Sequence, residues 1–240
     1  CLIHSHDAIR YEPKKTRIYK KSLSIILRIG LPAGLQSSMF SISNVLIQSA
    51  INSFGAAAIA GNTAAASIEG FATTLSNALS QAALTFSSQN MGAGKYARVR
   101  RVLVVCLAAT LIGGLCMGLL IDTFGTPLLA LFNTDPDVIA CGLIRVSHNM
   151  PPYFLFCLQD TFVGLLRGIG YSLLPMIVSL MGACVFRIFW VMTVFAANRT
   201  MDCLMISYPV SWTLTFFVLV GIFAVLWKKK IKPRYTPEEL

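Results

Sequence analysis

The chain alternates between long apolar stretches and short polar or basic ones, and this pattern predicts its elements. The apolar stretches cover residues 23–51, 57–94, 102–122, 138–167, 174–197 and 203–227. A helix that crosses a bilayer needs about 20 residues at a rise of about 1.5 Å each, and each of these stretches is long enough. The pattern therefore predicts an all-α polytopic membrane protein, a bundle of six transmembrane helices.

The basic residues fall between the predicted spans on one side of this topology. Sixteen of the twenty Lys and Arg residues lie in four segments that six spans place on the same side of the membrane. Cytoplasmic loops carry an excess of Lys and Arg, so these segments are predicted to be cytoplasmic. We expect a basic cytoplasmic linker at 1–22, the helix bundle at 23–227 and a basic cytoplasmic tail at 228–240, with both termini inside the cell.

The second predicted span carries one charged residue, Glu69, about 15 Å from its outer end and near the bilayer midplane. A carboxylate at this depth costs about 2.5–3.5 kcal/mol on insertion scales, so it needs a cavity, a proton or a cationic partner. Five other polar residues fall within about 40° of Glu69 on the same helix face and form a polar stripe with it: Asn62, Thr73, Ser76, Ser80 and Ser87. This stripe either lines an aqueous cavity or packs small residues against a neighbouring helix.

Other spans carry polar residues to which the same argument applies. The candidate site residues outside the second span are Gln36, Asn44 and Gln48 in the first, Tyr153 and Asp160 in the fourth, and Arg187 in the fifth. Asp160 is either a second functional carboxylate nearer the cytoplasm or a polar anchor bonded to a neighbouring helix. The depth of Arg187 matches that of Glu69, so a Glu69–Arg187 ion pair is the main structural alternative to a functional role for both.

Composition excludes several classes of protein. Of the residues, 55% are hydrophobic and 12% are charged, whereas charged residues make up about 25% of soluble domains. The net charge of +10 could suit nucleic acid, but the basic residues bracket apolar spans, so we expect no nucleic-acid partner. The seven cysteines include no CxxC pair and the three histidines show no ligand spacing, so we expect no metal site and no cofactor. An intramembrane enzyme is also not expected, because His148 and Asp160 lie about 18 Å apart along one helix.

Several motifs, in chain order, resemble the C-terminal half of multidrug and toxic compound extrusion (MATE) transporters. They are Gly30-Leu31-Pro32, QNMGAGKYAR, LFNTDPDVIACG, PPYFLF, GLLRGIGYSLLP and the arginine in VFRIFWV. The resemblance implies one six-helix lobe of a two-lobe fold with a central cavity. It also implies export of cationic or amphipathic small molecules across the cell inner (plasma) membrane, driven by inward flow of protons or sodium ions. The implied partners are the lipid bilayer and either a missing N-terminal lobe or a second copy of this chain.

The resemblance also bears on individual residues. Ile68-Glu69 matches a pair common in the second helix of this lobe, and Asp160 lies about a turn from an acidic position of eukaryotic members. Some members have an acidic residue in the first helix, where this chain has Phe40. The expected mechanism is alternating access, in which Glu69 attracts a cation and protonation releases it. The alternatives are a lipid-linked oligosaccharide flippase of the same superfamily and a half-transporter fragment that does not transport.

The Pro151-Pro152 pair is expected to break or kink the fourth span.

Overall fold

A computed structural model of the chain describes residues 19–231, and every regular element in this range is helical, which confirms the predicted all-α fold. The predicted linker residues 1–18 and tail residues 232–240 lie outside the described residues. The helices are α1 (Lys20–Asn52), α2 (Ala56–Gly92), α3 (Tyr96–Thr123), α4 (Gly125–Ala130), α5 (Pro136–Asn149), α6 (Tyr153–Gly168), α7 (Leu173–Ser179), α8 (Phe186–Trp190) and α9 (Met201–Leu226).

Segments of π-helix join or extend three of these elements. Leu180–Val185 connects α7 to α8, and Val191–Phe195 extends α8, so Leu173–Phe195 forms one long helix. A further π-helical turn, Trp227–Ile231, follows α9. The π-helix is rare and occurs mostly as single-turn bulges inside α-helices, frequently at functional sites. Two such segments flank α8, which contains the candidate residue Arg187.

Four helices within residues 19–231 are long and apolar enough to cross a membrane: Lys20–Asn52, Tyr96–Thr123, Leu173–Phe195 and Met201–Lys229. Their outward surfaces expose large apolar side chains, such as Phe217 at 65% exposure and Val104 at 59%. Such surfaces suit contact with lipid rather than water. The fold is that of a polytopic membrane protein.

The other two predicted spans are α2 and the α5–α6 pair. α2 is 37 residues long but rich in Ala, Ser and Thr, so no span-length stretch of it is as apolar as those of the four helices above. The fourth predicted span is interrupted at the turn that contains Pro151 and Pro152, so that α5 and α6 are separate helices. The predicted break at the proline pair is confirmed, and its cause is the missing backbone donor and the steric demand of the proline ring.

Close packing aligns α2 with α5 and α6 along most of its length. A Cβ atom added at Gly61 of α2 would overlap the backbone of α5, and one added at Gly164 of α6 would overlap the backbone oxygen of Ser80 in α2. Small residues allow two helix backbones to approach in this way. Because residue numbers rise in the same direction along both contacts, α2 runs parallel to the α5–α6 pair. This register brings Glu69 beside α5 and Ser76 beside α6.

Candidate functional site

A cavity of about 550 Å³ opens on one side of the bundle, between α1, α2, α5, α6, the long helix Leu173–Phe195 and α9. All of the candidate residues chosen from the sequence line it: Gln36, Asn44, Gln48, Glu69, Thr73, Tyr153, Asp160 and Arg187. The structure therefore brings together residues from four predicted spans. Their roles in transport stay predictions, and the geometry below distinguishes among them.

Glu69 forms an ion pair with Arg145 of α5. Arg145 Nε donates to Glu69 Oε1 at 3.0 Å and Arg145 Nη2 donates to Oε2 at 2.5 Å. Asn149, one turn further along α5, donates its Nδ2 to Oε1 at 3.0 Å. The two charged side chains are only 11% and 13% exposed, so this bidentate pair is largely removed from solvent.

The Glu69–Arg187 ion pair, which was the structural alternative for these two residues, is not formed, because Glu69 pairs with Arg145 instead. The small residues that bring α2 and α5 together place Arg145, rather than Arg187, against the Glu69 carboxylate. Arg145 lies within the fourth predicted span, but it was not among the candidate residues chosen from the sequence. One signal was present: Arg145 and Asn149 are four residues apart, so they share a helix face and can bind one carboxylate together.

The Glu69 ion pair continues into a chain of amide side chains. Arg145 Nη1 donates to Asn62 Oδ1 at 2.6 Å, and Asn62 Nδ2 donates to Gln48 Oε1 at 3.0 Å. Gln48 Nε2 in turn donates to Asn52 Oδ1 at 3.1 Å, at the end of α1. This network ties α1, α2 and α5 together at one end of the cavity.

Asp160 differs from Glu69 in its partners. Ser76 Oγ donates to its Oδ2 at 3.4 Å, and Ser80 Oγ donates to its backbone oxygen at 2.8 Å. No basic side chain among those described for residues 19–231 forms an ion pair with it. The contacts with α2 agree with a polar anchor, yet Asp160 also lines the cavity.

Arg187 is 5% exposed and points its guanidinium at the cavity from α8. Its Nε donates to Ser211 Oγ at 3.0 Å, and its guanidinium carbon lies 4.1 Å from the centroid of the Tyr208 ring. The guanidinium carbon of Arg145 lies 5.6 Å from the same ring, so the two arginines share one aromatic neighbour. Among the side chains described, no carboxylate pairs with Arg187.

An aromatic wall completes the cavity. The ring centroids of Tyr153, Phe156 and Trp212 lie 5.3–5.9 Å from one another, and Tyr208 lies 6.0 Å from Trp212. Thr73 Oγ1 and the Tyr153 hydroxyl are hydrogen-bonded at 2.9 Å, which holds this wall against α2. Phe156, Tyr208 and Trp212 were not selected from the sequence, because an aromatic residue in an apolar span is indistinguishable from ordinary core.

Two further cavity residues lie nearer the predicted cytoplasmic side. Gln36 Oε1 accepts from Arg167 Nη2 at 2.5 Å, which connects α1 to the end of α6. Gln159 is 4% exposed, and its Oε1 has no hydrogen-bond partner among the described residues. No group of three or more His, Cys, Asp or Glu side chains within residues 19–231 is arranged to hold a metal ion.

A family model and curated proteins match this chain in sequence. The family model MatE matches residues 32–193. The chain is 24% identical over 217 residues to the probable multidrug resistance protein YoeA of Bacillus subtilis, a match that covers 88% of this chain and 46% of that protein. It is 27% identical over 154 residues to the probable multidrug resistance protein NorM of Thermotoga maritima, covering 64% of this chain and 33% of that protein.

A solved structure shares the fold. The crystal structure of MATE in complex with MaL6 superposes with a TM-score of 0.84 at 15% sequence identity, and the match covers 95% of this chain and 53% of that one. The chain thus spans about half the length, or less, of the curated relatives it matches.

Proposed function

The chain belongs to the MATE family of multidrug efflux transporters, and from this premise we propose that it supplies one lobe of a secondary transporter. The transporter would export cationic or amphipathic small molecules in exchange for protons or sodium ions that flow inward. The cavity supports this proposal, because it combines a carboxylate, hydrogen-bonding side chains and an aromatic wall. Pockets of this composition suit flat, partly charged organic molecules.

The single observation that carries the coupling proposal is the position of Asp160. Asp160 lines the cavity and no described basic side chain forms an ion pair with it, whereas Glu69 is paired with Arg145. A substrate cation and a coupling ion could therefore compete for Asp160, which is the simplest basis for exchange. The coupling role that the sequence suggested for Glu69 is accordingly assigned to Asp160. The Glu69–Arg145 pair is instead proposed to hold α2 and α5 together beside the cavity.

Transport in proteoliposomes tests this assignment. The full-length protein would be reconstituted, and efflux of ethidium would be followed under a proton gradient and, separately, under a sodium gradient. Asp160→Asn is expected to lower gradient-driven efflux at least tenfold, because it removes the charge for which both cations compete. Asp137→Asn is the matched control, since Asp137 is an exposed carboxylate in the first turn of α5.

The efflux rates show whether Asp160 takes part in coupling and which ion drives export. Efflux by Asp160→Asn at the wild-type rate, with normal expression, would remove Asp160 from the mechanism. The gradient that drives the wild-type protein would identify the coupling ion. The flippase alternative expects a wide basic cavity in the upstream bundle, and in this lobe only one of the two cavity arginines among the described residues lacks an ion-pair partner. The observations therefore favour exchange of small molecules.

We also propose that the protein lies in the plasma membrane with both termini in the cytoplasm, together with the first lobe or a second copy of this chain. The basic segments between the spans support this orientation. A fluorescent protein fused after Leu240, which becomes fluorescent only if it folds in the cytoplasm, checks it. A dark fusion that is nevertheless inserted in the membrane would contradict the orientation.

A further inference from the structure

His148 and Asp202 form a contact that lies outside the cavity and joins two of the helices around it. His148 is the next-to-last residue of α5, and Asp202 lies in the first turn of α9. His148 Nε2 lies 3.6 Å from Asp202 Oδ1. Neither residue lines the cavity, whereas Arg145 of α5 and Tyr208 of α9 do. The contact therefore connects two helices that contribute cavity residues.

The other ring nitrogen of His148 fixes the position of a proton. Nδ1 lies 2.8 Å from the backbone oxygen of Ile144, one turn earlier in α5, and 3.5 Å from Ser147 Oγ. A carbonyl oxygen only accepts hydrogen bonds, so the shorter contact requires a proton on Nδ1. A neutral imidazole carries one proton, and its Nε2 is then an acceptor. In the neutral state, an acceptor of His148 therefore lies against the carboxylate of Asp202, which is also an acceptor.

Protonation of Nε2 removes this mismatch. An imidazolium ring donates from both nitrogens, so it can keep the hydrogen bond to Ile144 and also donate to Asp202, whose charge is opposite. Histidine is the side chain that changes its charge between pH 5 and 8, and aspartate in water is ionised across this range. The side chains of His148 and Asp202 are 26% and 60% exposed, so protons from solution can reach the pair.

The surrounding groups leave Asp202 as the charged partner of His148. α5 packs chiefly against α2, α9, α4 and α3, and α4 has no titratable side chain. Within the described residues, the ion pair of His148 is with Asp202 alone, and Glu69 is paired with Arg145. The other titratable side chains on α5 and facing it are Asp137, Cys141 and Arg145 on α5, Glu69 on α2, Cys116 and Asp122 on α3, and Cys203 and Tyr208 on α9.

We propose that His148 and Asp202 form a pH-sensitive tie between α5 and α9, in which protonation of His148 closes a charged hydrogen bond to Asp202 and deprotonation opens it. The tie is present at low pH and is lost as the pH rises through the titration of the ring. In the proposed orientation, Asp202 lies at the outer end of α9, so the tie responds to the pH outside the cell. This inference goes beyond the proposed function, because it involves neither cavity carboxylate.

Magnetic resonance of the histidine ring nitrogens tests the proton positions directly. The full-length protein would be produced with isotope-labelled histidine and reconstituted in lipid vesicles, and the signals lost in His148→Asn would identify His148. The Nδ1–H tautomer is expected at about pH 8.5, and protons on both nitrogens at about pH 5.5. An Nε2–H tautomer at the higher pH would overturn the proposal, because Nε2 would then donate to Asp202 at both values. A ring that stays neutral at the lower pH would also overturn it.

A double-mutant cycle at the same two pH values tests the tie itself. Unfolding temperatures in detergent would be recorded for the wild type, His148→Asn, Asp202→Asn and the double variant. The two changes are expected to be non-additive by about 1–3 °C at about pH 5.5, as for a partly exposed ion pair, and additive at about pH 8.5. His148→Asn combined with Asp137→Asn is the matched control and should be additive at both values, because Asp137, like Asp202, is an exposed carboxylate in the first turn of a helix.

Additive effects of the His148 and Asp202 changes at both pH values, or the same non-additivity at both, would overturn the proposal. His148→Ala takes the place of His148→Asn in both experiments if the latter does not fold. Neither experiment involves transport, so a loss of ion coupling in the proteoliposome assay would refute the proposed antiport and leave this result unaffected. A dark reporter fusion would change only the side of the membrane whose pH acts on the tie.

Discussion

The ion pair between Glu69 and Arg145 provides the sharpest test of the structure. Glu69→Gln removes the carboxylate and leaves the guanidinium buried at 11% side-chain exposure. Arg145→Gln removes the guanidinium and leaves the carboxylate buried at 13%. Removing one partner of a buried pair typically costs about 3–5 kcal/mol, because the remaining charge is no longer compensated.

The two single variants are expected to differ in a definite order. A carboxylate can take up a proton, whereas a guanidinium stays charged at any accessible pH. Glu69→Gln should therefore be the more destabilising change, even though Asn62 still accepts a hydrogen bond from Arg145. At about 2–4 °C per kcal/mol for a protein of this size, its unfolding temperature should fall by roughly 10 °C. The double variant leaves no charge behind and is expected to be more stable than Glu69→Gln alone.

A double-mutant cycle measures this coupling. Unfolding temperatures of the wild type, both single variants and the double variant would be recorded in detergent, with size-exclusion profiles as the control for folding. We expect a coupling energy of at least about 1 kcal/mol between Glu69 and Arg145, and less than about 0.5 kcal/mol in the same cycle between Glu69 and Arg187. Additive effects in the first cycle, or stronger coupling in the second, would refute the assignment of Arg145 as the partner.

Three further predictions concern packing, the cavity wall and the helix break. Gly61→Ala should lower the unfolding temperature by several degrees, because an added Cβ would overlap α5. The control Gly70→Ala, on the same helix, places its Cβ where no atom lies within 4 Å and should leave the unfolding temperature unchanged or raise it. Equal unfolding temperatures of the two variants by scanning fluorimetry would contradict this packing. Trp212→Phe should abolish most of the ligand-induced change in tryptophan fluorescence during an ethidium titration, since Trp212 lines the cavity; an undiminished change would contradict its position. Replacing Pro151 and Pro152 with alanine should slow ethidium efflux in proteoliposomes several-fold, because a continuous helix would change the direction of the side chains on both sides of the break. Efflux at the wild-type rate would show that transport does not require the break.

The helical fold could be predicted from the sequence alone, because whether a segment forms a membrane-spanning helix depends on that segment itself. The energy of inserting a segment into a bilayer depends on its own length and composition, so apolar stretches and basic flanks predict spans and orientation without reference to neighbours. The proline pair likewise specifies a break within its own turn, as the separate helices α5 and α6 confirm. The inward position of Glu69, Asp160 and Arg187 follows from the same energetics, because an ionisable group is too costly to leave against lipid.

The tertiary structure alone decided which of these groups meet. The partner of Glu69 depends on the axial register between α2 and α5, and that register is fixed by close contacts at residues such as Gly61, which no periodicity in either helix reveals. A shift of one helical turn would move Arg145 about 5.4 Å along its axis and away from the carboxylate. Only the packed structure therefore distinguishes Glu69, which forms an ion pair, from Asp160 and Arg187, which form none among the described residues.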